Sequence, residues 1–325
     1  MTAFFGRSRK QEPGWLAIVP MPGGAGIAHV VHQSVGKAAR PQALRYEFHA
    51  FAPDDAKAWE KFRKDGRLDR YRCTTLLNPG EYQLLLVDAV NVPPAELKAA
   101  IRWRIKDMLS YHIDDATIDV LDIPQQKDAP SRGHSMYAVA APNEIIQKRV
   151  TRFEESGIPL GVIDIQEMAQ RNIAALYETT NRGLALLAFG QDSGLLTITY
   201  GGELYLSRRI EVSPGQLHDA DETLRQQHLD RLTLEVQRSL DYFDRQYNYI
   251  TVNKLLLAPV SSPASPTQGD AVRGYLASNL SIAVEPLRLD DAIDFSAVPE
   301  LNEPEQQAQA FFVLGAALRQ EEKAL

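Results

Sequence analysis

The chain has 325 residues, of which 44% are hydrophobic and 24% charged, with a formal net charge of −7 and a single cysteine. Such a composition supports a sizeable core, fits about two domains and excludes global disorder. The net acidity excludes a general nucleic-acid coat, and a lone cysteine, Cys73, excludes an intramolecular disulfide and reads as a small core residue.

In chain order, residues 1–13 read as a flexible tail. Their apolar pair Phe4-Phe5 precedes the basic residues, whereas a signal peptide needs a longer apolar stretch after them. Trp15 to Val19 and Ile27 to Val31 are apolar runs around Pro20-Met-Pro-Gly-Gly-Ala-Gly26, the pattern of a hairpin. Leu44 to Phe51 reads as a third strand, and Asp54 to Asp65 as a helix with Trp59 and Phe62 three apart. Leu84-Leu-Leu-Val87 is a buried-type strand. Asn91-Val-Pro-Pro opens a helix, because proline is tolerated in a first turn, and Leu97, Ile101, Ile105, Met108 and Leu109 give it an apolar stripe. Thr117 to Ile123 and Met136 to Ala140 are strands on either side of a polar turn, Gln125 to Gly133. A helix follows, opened by Asn143 and stopped by Gly157-Ile-Pro, then a strand from Gly161 to Ile165.

The second half opens with the strand Gly183 to Phe189. A hairpin turning at Gly201-Gly202 joins Gly194–Tyr200 to Glu203–Ile210. The longest helix runs from Asp230 to Tyr247, with Leu229, Leu232, Val236, Leu240, Phe243 and Tyr247 as its stripe. Lys254 to Ala258 is a strand, Ser261 to Gly269 a loop, Val272 to Asn279 a helix, and about Gln306 to Gln320 the last helix. Its apolar run, Ala310 to Leu318, falls short of the ~20 residues of a membrane span. The chain is therefore expected to be soluble and cytoplasmic, reaching a membrane through a partner. The two halves read as a duplicated α/β architecture.

Several segments in order resemble the PilM family of the actin-like ATPase superfamily, with wording closest to its MshI branch from mannose-sensitive haemagglutinin (MSHA) type IV pili. They are Val87-Asp-Ala, Pro94-Ala-Glu-Leu-Lys-Ala-Ala-Ile-Arg-Trp103, Val162-Ile-Asp-Ile-Gln-Glu-Met168, Glu235-Val-Gln-Arg-Ser-Leu-Asp-Tyr-Phe243 and Leu314-Gly-Ala-Ala-Leu-Arg319. The resemblance covers most of residues 82–320. It implies an actin-like α/β fold of two ribonuclease-H-like domains. The first would span 14–181 with a small inserted α/β subdomain at 84–163, and the second 182–305. The C-terminal helix, within 306–325, would pack back on the first. It also implies a place at the cytoplasmic base of a type IV pilus, where such proteins hold the tail of a PilN-like inner-membrane protein and bind ATP between the domains. Self-association is compatible with it.

The resemblance locates the nucleotide groups. Gly23, Gly24 and Gly26 would form a first phosphate turn, by an anion nest of backbone N–H groups or as a plain hairpin turn. Gly190 and Ser193 would form a second. Glu235, Arg238 and Ser239 would face the cleft from the long helix. Family members carry an acid in each phosphate turn, and here Ile18-Val19 and Ala188 stand in those places, while Leu257-Ala-Pro-Val-Ser261 replaces a Gly-Gly adenosine loop. The loss of acids removes ligands for Mg²⁺ and a base for water. The expectation is a scaffold with no catalytic residue, no metal and no cofactor, the alternative being an ATP- and Mg-dependent switch. For the partner, Trp103 lies about 200° around the helix from Ile101, among Arg102, Arg104 and Lys106. An aromatic among cations has the composition of an interface hot spot, so Arg102, Trp103 and Lys106 are the expected contact, near the boundary of the insert with the first domain. The spacing of His29 and His32, and the acidic run Asp114, Asp115, Asp119 and Asp122, carry no metal or catalytic pattern.

Overall fold

A computed structural model describes residues 11–32, 40–52, 54–125, 134–260 and 268–320. Most of the expected tail, most of the polar turn after Gln125 and most of the loop from Ser261 lie outside the described residues. The elements in order are β1 (Trp15–Met21), β2 (Gly24–Val31), β3 (Gln42–Ala50), α1 (Ala56–Gly66), β4 (Arg72–Leu76), β5 (Gln83–Asp88), α2 (Pro94–Ile105), β6 (Ala116–Asp122), β7 (Ser135–Pro142), α3 (Asn143–Ser156), β8 (Leu160–Asp164) and α4 (Gln166–Ala174). The second half continues with β9 (Gly183–Phe189), β10 (Gly194–Tyr200), β11 (Glu203–Ile210), α5 (Pro214–Leu217), α6 (Glu222–Gln246), β12 (Val252–Leu257), α7 (Gln268–Asn279), β13 (Ala283–Pro286) and α8 (Pro304–Ala317).

Two five-stranded sheets share one topology, β3-β2-β1-β4-β8 and β11-β10-β9-β12-β13, and a three-stranded sheet, β5-β7-β6, stands apart. In each large sheet the first three strands are antiparallel and the last three parallel. Both faces of the central strands are covered, so β1 and β9 read as unbroken apolar runs. Along β1, Leu16 and Ile18 join Trp59, Phe62 and Phe153 on the outer face, while Ala17 and Val19 face the other sheet. Along β9, Leu184, Leu186 and Ala188 face inward, while Ala185, Leu187 and Phe189 meet the core under α6 and α7.

Helices α4 and α8 fill the space between the sheets. α8 packs on α4 and on β1, β2 and β4. The two helices cross closely at Gly315, where a Cβ would stand 2.3 Å from the Ala169 carbonyl oxygen. Local signals set the helix starts. Asp55 accepts from the amides of Lys57 and Ala58, and Asp221 from those of Thr223 and Leu224, each satisfying donors of a first turn.

The sequence reading needs four adjustments. The long helix begins at Glu222, two turns before Asp230, because its first turns are polar and exposed. The return strand ends at Asp164, and Gln166 opens α4 instead of continuing the strand. The inserted sheet takes its strands from 83–142 only. Within the range that had been read as running to 163, β8 pairs with β4 in the first sheet, and α3 lies between α1 and strands β6 and β7 of the small sheet. Asn143 is the first residue of α3, its side chain bonded to Thr117 and to the Asp114 carbonyl. Among the described residues no helix is long and apolar enough to cross a membrane.

The crossing predicts that Gly315→Ala lowers the unfolding free energy by about 1–3 kcal/mol, the range of overpacking. Gly274→Ala, in α7, meets nothing within 4 Å and is expected to be neutral or slightly stabilising. Urea denaturation of both variants checks the difference.

His29, on β2, is buried, stacks edge-on against Tyr71 at 4.8 Å, and donates through Nε2 to the Pro13 carbonyl at 2.8 Å. Burial holds its pKa below the ordinary 6.5. The unfolded chain therefore binds the proton more readily than the folded one. This contribution to stability is present above 6.5 and is lost as pH falls through the folded value. The urea midpoint of the wild type is expected to fall more steeply than that of His29→Gln on going from about pH 8 to about pH 5.

Candidate functional site

The turns of the two leading hairpins, β1–β2 and β9–β10, face each other across a cleft of about 790 Å³ between the large sheets. Met21 and Pro22 stand on one side, Gly190 and Ser193 on the other, and Arg149 of α3 and Phe312 of α8 complete the walls. Of the expected nucleotide groups, Gly190 and Ser193 are thus in the cleft. Gly23 occupies the first turn with φ 78°, but Gly24 and Gly26 are strand residues. Gly24 is in register with Met21 and Ala50, and Gly26 with Val19 and Phe48. A Cβ on Gly24 would be 1.9 Å from the His49 oxygen, and one on Gly26 would meet Met21 and Val313. These two glycines serve the ladder and the seating of α8, so the three do not form a nest.

The donor set for a metal–nucleotide is incomplete. Ala188 is 1% exposed at the end of β9, and Val19 is buried at the end of β1, so each presumptive acid position is an apolar core residue. The acid of the second turn, Asp192, is exposed. Among the described residues no cluster of three or more His, Cys, Asp or Glu could hold a metal ion. The residues present do not fit Mg²⁺-bound ATP.

The groups expected from α6 do not line the cleft. Glu235 pairs with Arg238 at 3.4 Å and with Arg208 at 3.8 Å, and Ser239 is buried, its hydroxyl donating to the Glu235 carbonyl at 2.6 Å. Ser239 instead borders a second cavity, of about 390 Å³, between the inserted sheet, β11 and α6. The first turn ends β1 in the first sheet and the second ends β9 in the middle of the second sheet, whereas α6 packs beside β11, that sheet's edge strand.

The expected partner residues are displaced too. α2 covers the face of the small sheet that carries Val87, Val120, Met136 and Ala138, whereas Leu84, Leu121 and Tyr137 turn the opposite face to the rest of the molecule. Trp103 is 72% exposed on the outer side of α2, with the Lys106 ammonium 5.6 Å from its ring centroid. Arg102 is turned to Asp114 at 2.9 Å. None of the three lines either cavity at the insert, because the small sheet stands between.

The group that sequence reasoning missed is Arg209, on β11. Its guanidinium donates to Ser193 Oγ and Gln166 Oε1, both at 3.4 Å, on the cleft side. On the other side it meets Glu167 Oε1 at 3.2 Å and Tyr82 Oη at 3.3 Å. Tyr82 also donates to Glu167. Burial first, and the Glu167 carboxylate second, push the Tyr82 phenol well above its ordinary range, so it remains a donor. One arginine thus ties the second unit to α4 and to the strand leading into the insert; it lines the smaller cavity and bonds to Gln166 and Ser193 of the larger cleft.

No protein-family model and no curated protein sequence matches the chain. Among solved structures it is similar to a chain of the PilM–PilN type IV pilus biogenesis complex, at 17% identity and a TM-score of 0.70, over 94% of this chain and 98% of that one. Weaker likenesses include a Bacteroides thetaiotaomicron protein with an actin-like ATPase fold (9% identity, TM-score 0.49, 93% and 99% covered). Another is the cytoplasmic domain of EpsL, an inner-membrane component of the type II secretion system of Vibrio cholerae (12%, 0.45, 82% and 95%). The chain is an α/β protein of the actin-like fold. Its two large sheets and the cleft between them are that fold's framework.

Glu167 is 3% exposed, so removing its cation leaves a buried carboxylate uncompensated. Arg209→Met is expected to lower stability by about 3–5 kcal/mol. Adding Glu167→Gln to that variant restores part of the loss. Urea denaturation of the two single variants and the double variant measures the coupling.

Proposed function

We infer that the chain is a cytoplasmic, actin-like scaffold of a type IV pilus assembly platform, of the MSHA type, which holds the cytoplasmic tail of a PilN-like inner-membrane protein without turning over ATP. The observation that carries the second half of this reading is the pair of apolar core residues, Val19 and Ala188, at the ends of the two strands that face the cleft. Phosphoryl transfer needs a metal and a positioned water, and an alanine methyl packed in the core supplies neither. The platform and its partner are supported by the likeness over nearly the whole chain to the PilM–PilN complex, together with the segments that resemble PilM in order. In this reading the outward face of Arg102, Trp103 and Lys106 is a contact with the platform on the far side of the insert.

A second reading, a nucleotide-dependent switch, draws on the retained Gly190 and Ser193 and on the width of the cleft. The two are separated by thermal unfolding in millimolar ATP-Mg²⁺. A ligand at 100 times its Kd adds about 2.7 kcal/mol. The scaffold reading expects no rise in melting temperature, and a concentration-dependent rise decides for the switch.

A further inference from the structure

The charge of α1 and the turn after it is opposite to that of the chain. The whole has a net charge of −7, yet residues 57–72 hold seven lysines and arginines against three acids. The core dictates where they point. Trp59 and Phe62 bury one side of α1. At about 3.6 residues per turn, Lys57, Lys61 and Lys64 fall together on the opposite side, and all three are exposed. The helix is capped by Arg67, at a left-handed φ of 48°, and a single 3₁₀ turn, Leu68–Arg70, follows. That turn buries Leu68 and leaves Arg67 and Arg70 in solvent. Lys64 is paired with Glu60 at 2.5 Å. Among the described residues no carboxylate pairs with Lys57, Lys61, Arg67 or Arg70.

The start of the chain joins the same surface. The Glu12 amide donates to the Arg70 carbonyl at 2.9 Å, so residues 1–10 enter the body beside the exposed arginines. Their sequence, Met1-Thr-Ala-Phe-Phe-Gly-Arg-Ser-Arg-Lys10, has three cations, no acid and the adjacent aromatics Phe4 and Phe5. Cations alone suit any polyanion. The apolar pair beside them favours a bilayer, whose anionic surface attracts lysine and arginine, about fivefold in affinity for each, and whose headgroup layer takes up apolar and aromatic side chains. One such signal gives marginal attachment, and two together hold a protein on a membrane.

We propose that the outward face of α1, with Arg67, Arg70 and the segment 1–10, lies on an anionic phospholipid surface and gives the protein a direct hold on the membrane. The cations meet headgroup phosphates, and Phe4 and Phe5 enter the boundary between headgroups and acyl chains. This contact needs no PilN-like protein, so it stands or falls separately from the scaffold reading. It adds to any hold through a partner and turns α1 towards the membrane.

The test is flotation of the full chain with vesicles of phosphatidylcholine alone and of equal parts phosphatidylcholine and phosphatidylglycerol. Binding is expected to the mixed vesicles only, weakening as salt is raised. Lys61→Glu combined with Arg70→Glu is expected to bind roughly tenfold more weakly or worse, and Phe4→Ser combined with Phe5→Ser several-fold more weakly. Arg231→Glu combined with Arg238→Glu, at exposed positions of α6, changes the net charge equally and is expected to bind as the wild type does. Lys61 and Arg70 are exposed, so the fold is expected to persist, and circular dichroism confirms it. A wild type that does not float with the mixed vesicles overturns the proposal and leaves the cations to another polyanion. Undiminished binding by the Lys61 and Arg70 variant, or an equal loss in the α6 variant, overturns it too, and undiminished binding by the phenylalanine variant overturns its apolar half. Sodium phosphate and sodium chloride at equal ionic strength are expected to release the protein equally. Selective release by phosphate assigns the cations to a free-phosphate site and overturns the membrane contact.

Discussion

Everything else in this molecule depends on a short helix held between two sheets. α4 is nine residues long, and its Gln170 is fully buried. The two Gln170 Nε2 hydrogens serve the carbonyls of Leu186 and Leu195, at 2.8 and 3.0 Å, and the Thr197 hydroxyl lies 2.9 Å from the same nitrogen. A buried amide without partners costs about 1–3 kcal/mol, so these bonds fix how α4, which continues from the first sheet, sits on β9 and β10 of the second. On its other side α4 meets α8 at Gly315, where Asn172 donates to the Gly315 carbonyl at 2.9 Å. The separation of the sheets, and with it the width of the cleft, follows from that three-layer contact.

The same arrangement bears on what a ligand in the cleft could do. Both arginines of its walls are already paired: Arg149 with Glu81 at 2.7 Å, and Arg152 with Asp54 at 3.2 Å. Arg209 bonds across the units without any ligand. A ligand shifts a conformational equilibrium only by its differential affinity for the two states. Where an ion pair, Arg209 with Glu167, already joins the units, and the ends of β1 and β9 carry Val19 and Ala188 in place of acids, a polyphosphate has little with which to distinguish open from closed. This supports a static framework over a switch.

How much of this was legible in the sequence depended on whether burial produced a pattern. β1 and β9 were plain, since strands covered on both faces become apolar runs, and α1 announced itself through Trp59 and Phe62. β4 did not, because its buried residues are Cys73, Thr74, Thr75 and Leu76, too short and too polar to read as a core strand. α4 did not either. A helix buried between sheets has no polar face to give a period, and its Glu167, Gln170 and Arg171 are buried as well. The cleft was half legible. The turns at Gly190 and Ser193 and the missing acids could be read, but Gly24 and Gly26 looked like loop glycines because nothing in the sequence shows that β3 pairs against the first and α8 passes over the second. Arg209 gave no signal at all: Arg208-Arg209 on a strand looks like a solvated pair, and its partners lie 16 to 127 residues away.

The insert shows why a rigid groove arises without having been visible. A three-stranded sheet needs cover on a face to be stable, and α2 supplies it on one side only. The other side meets Ile145 and Ile146 of α3 and is pinned to the edge strand of the second unit. The Tyr137 hydroxyl accepts from the Ser207 amide at 3.1 Å and donates to the Tyr205 carbonyl at 3.4 Å, and the Tyr205 hydroxyl reaches the Pro124 carbonyl at 3.1 Å. These bonds hold β7, the middle strand, against β11, and the outer strand β5 is left beside the gap. Its edge is therefore free because of how the sheet is anchored, while both walls belong to packed strands and a long helix.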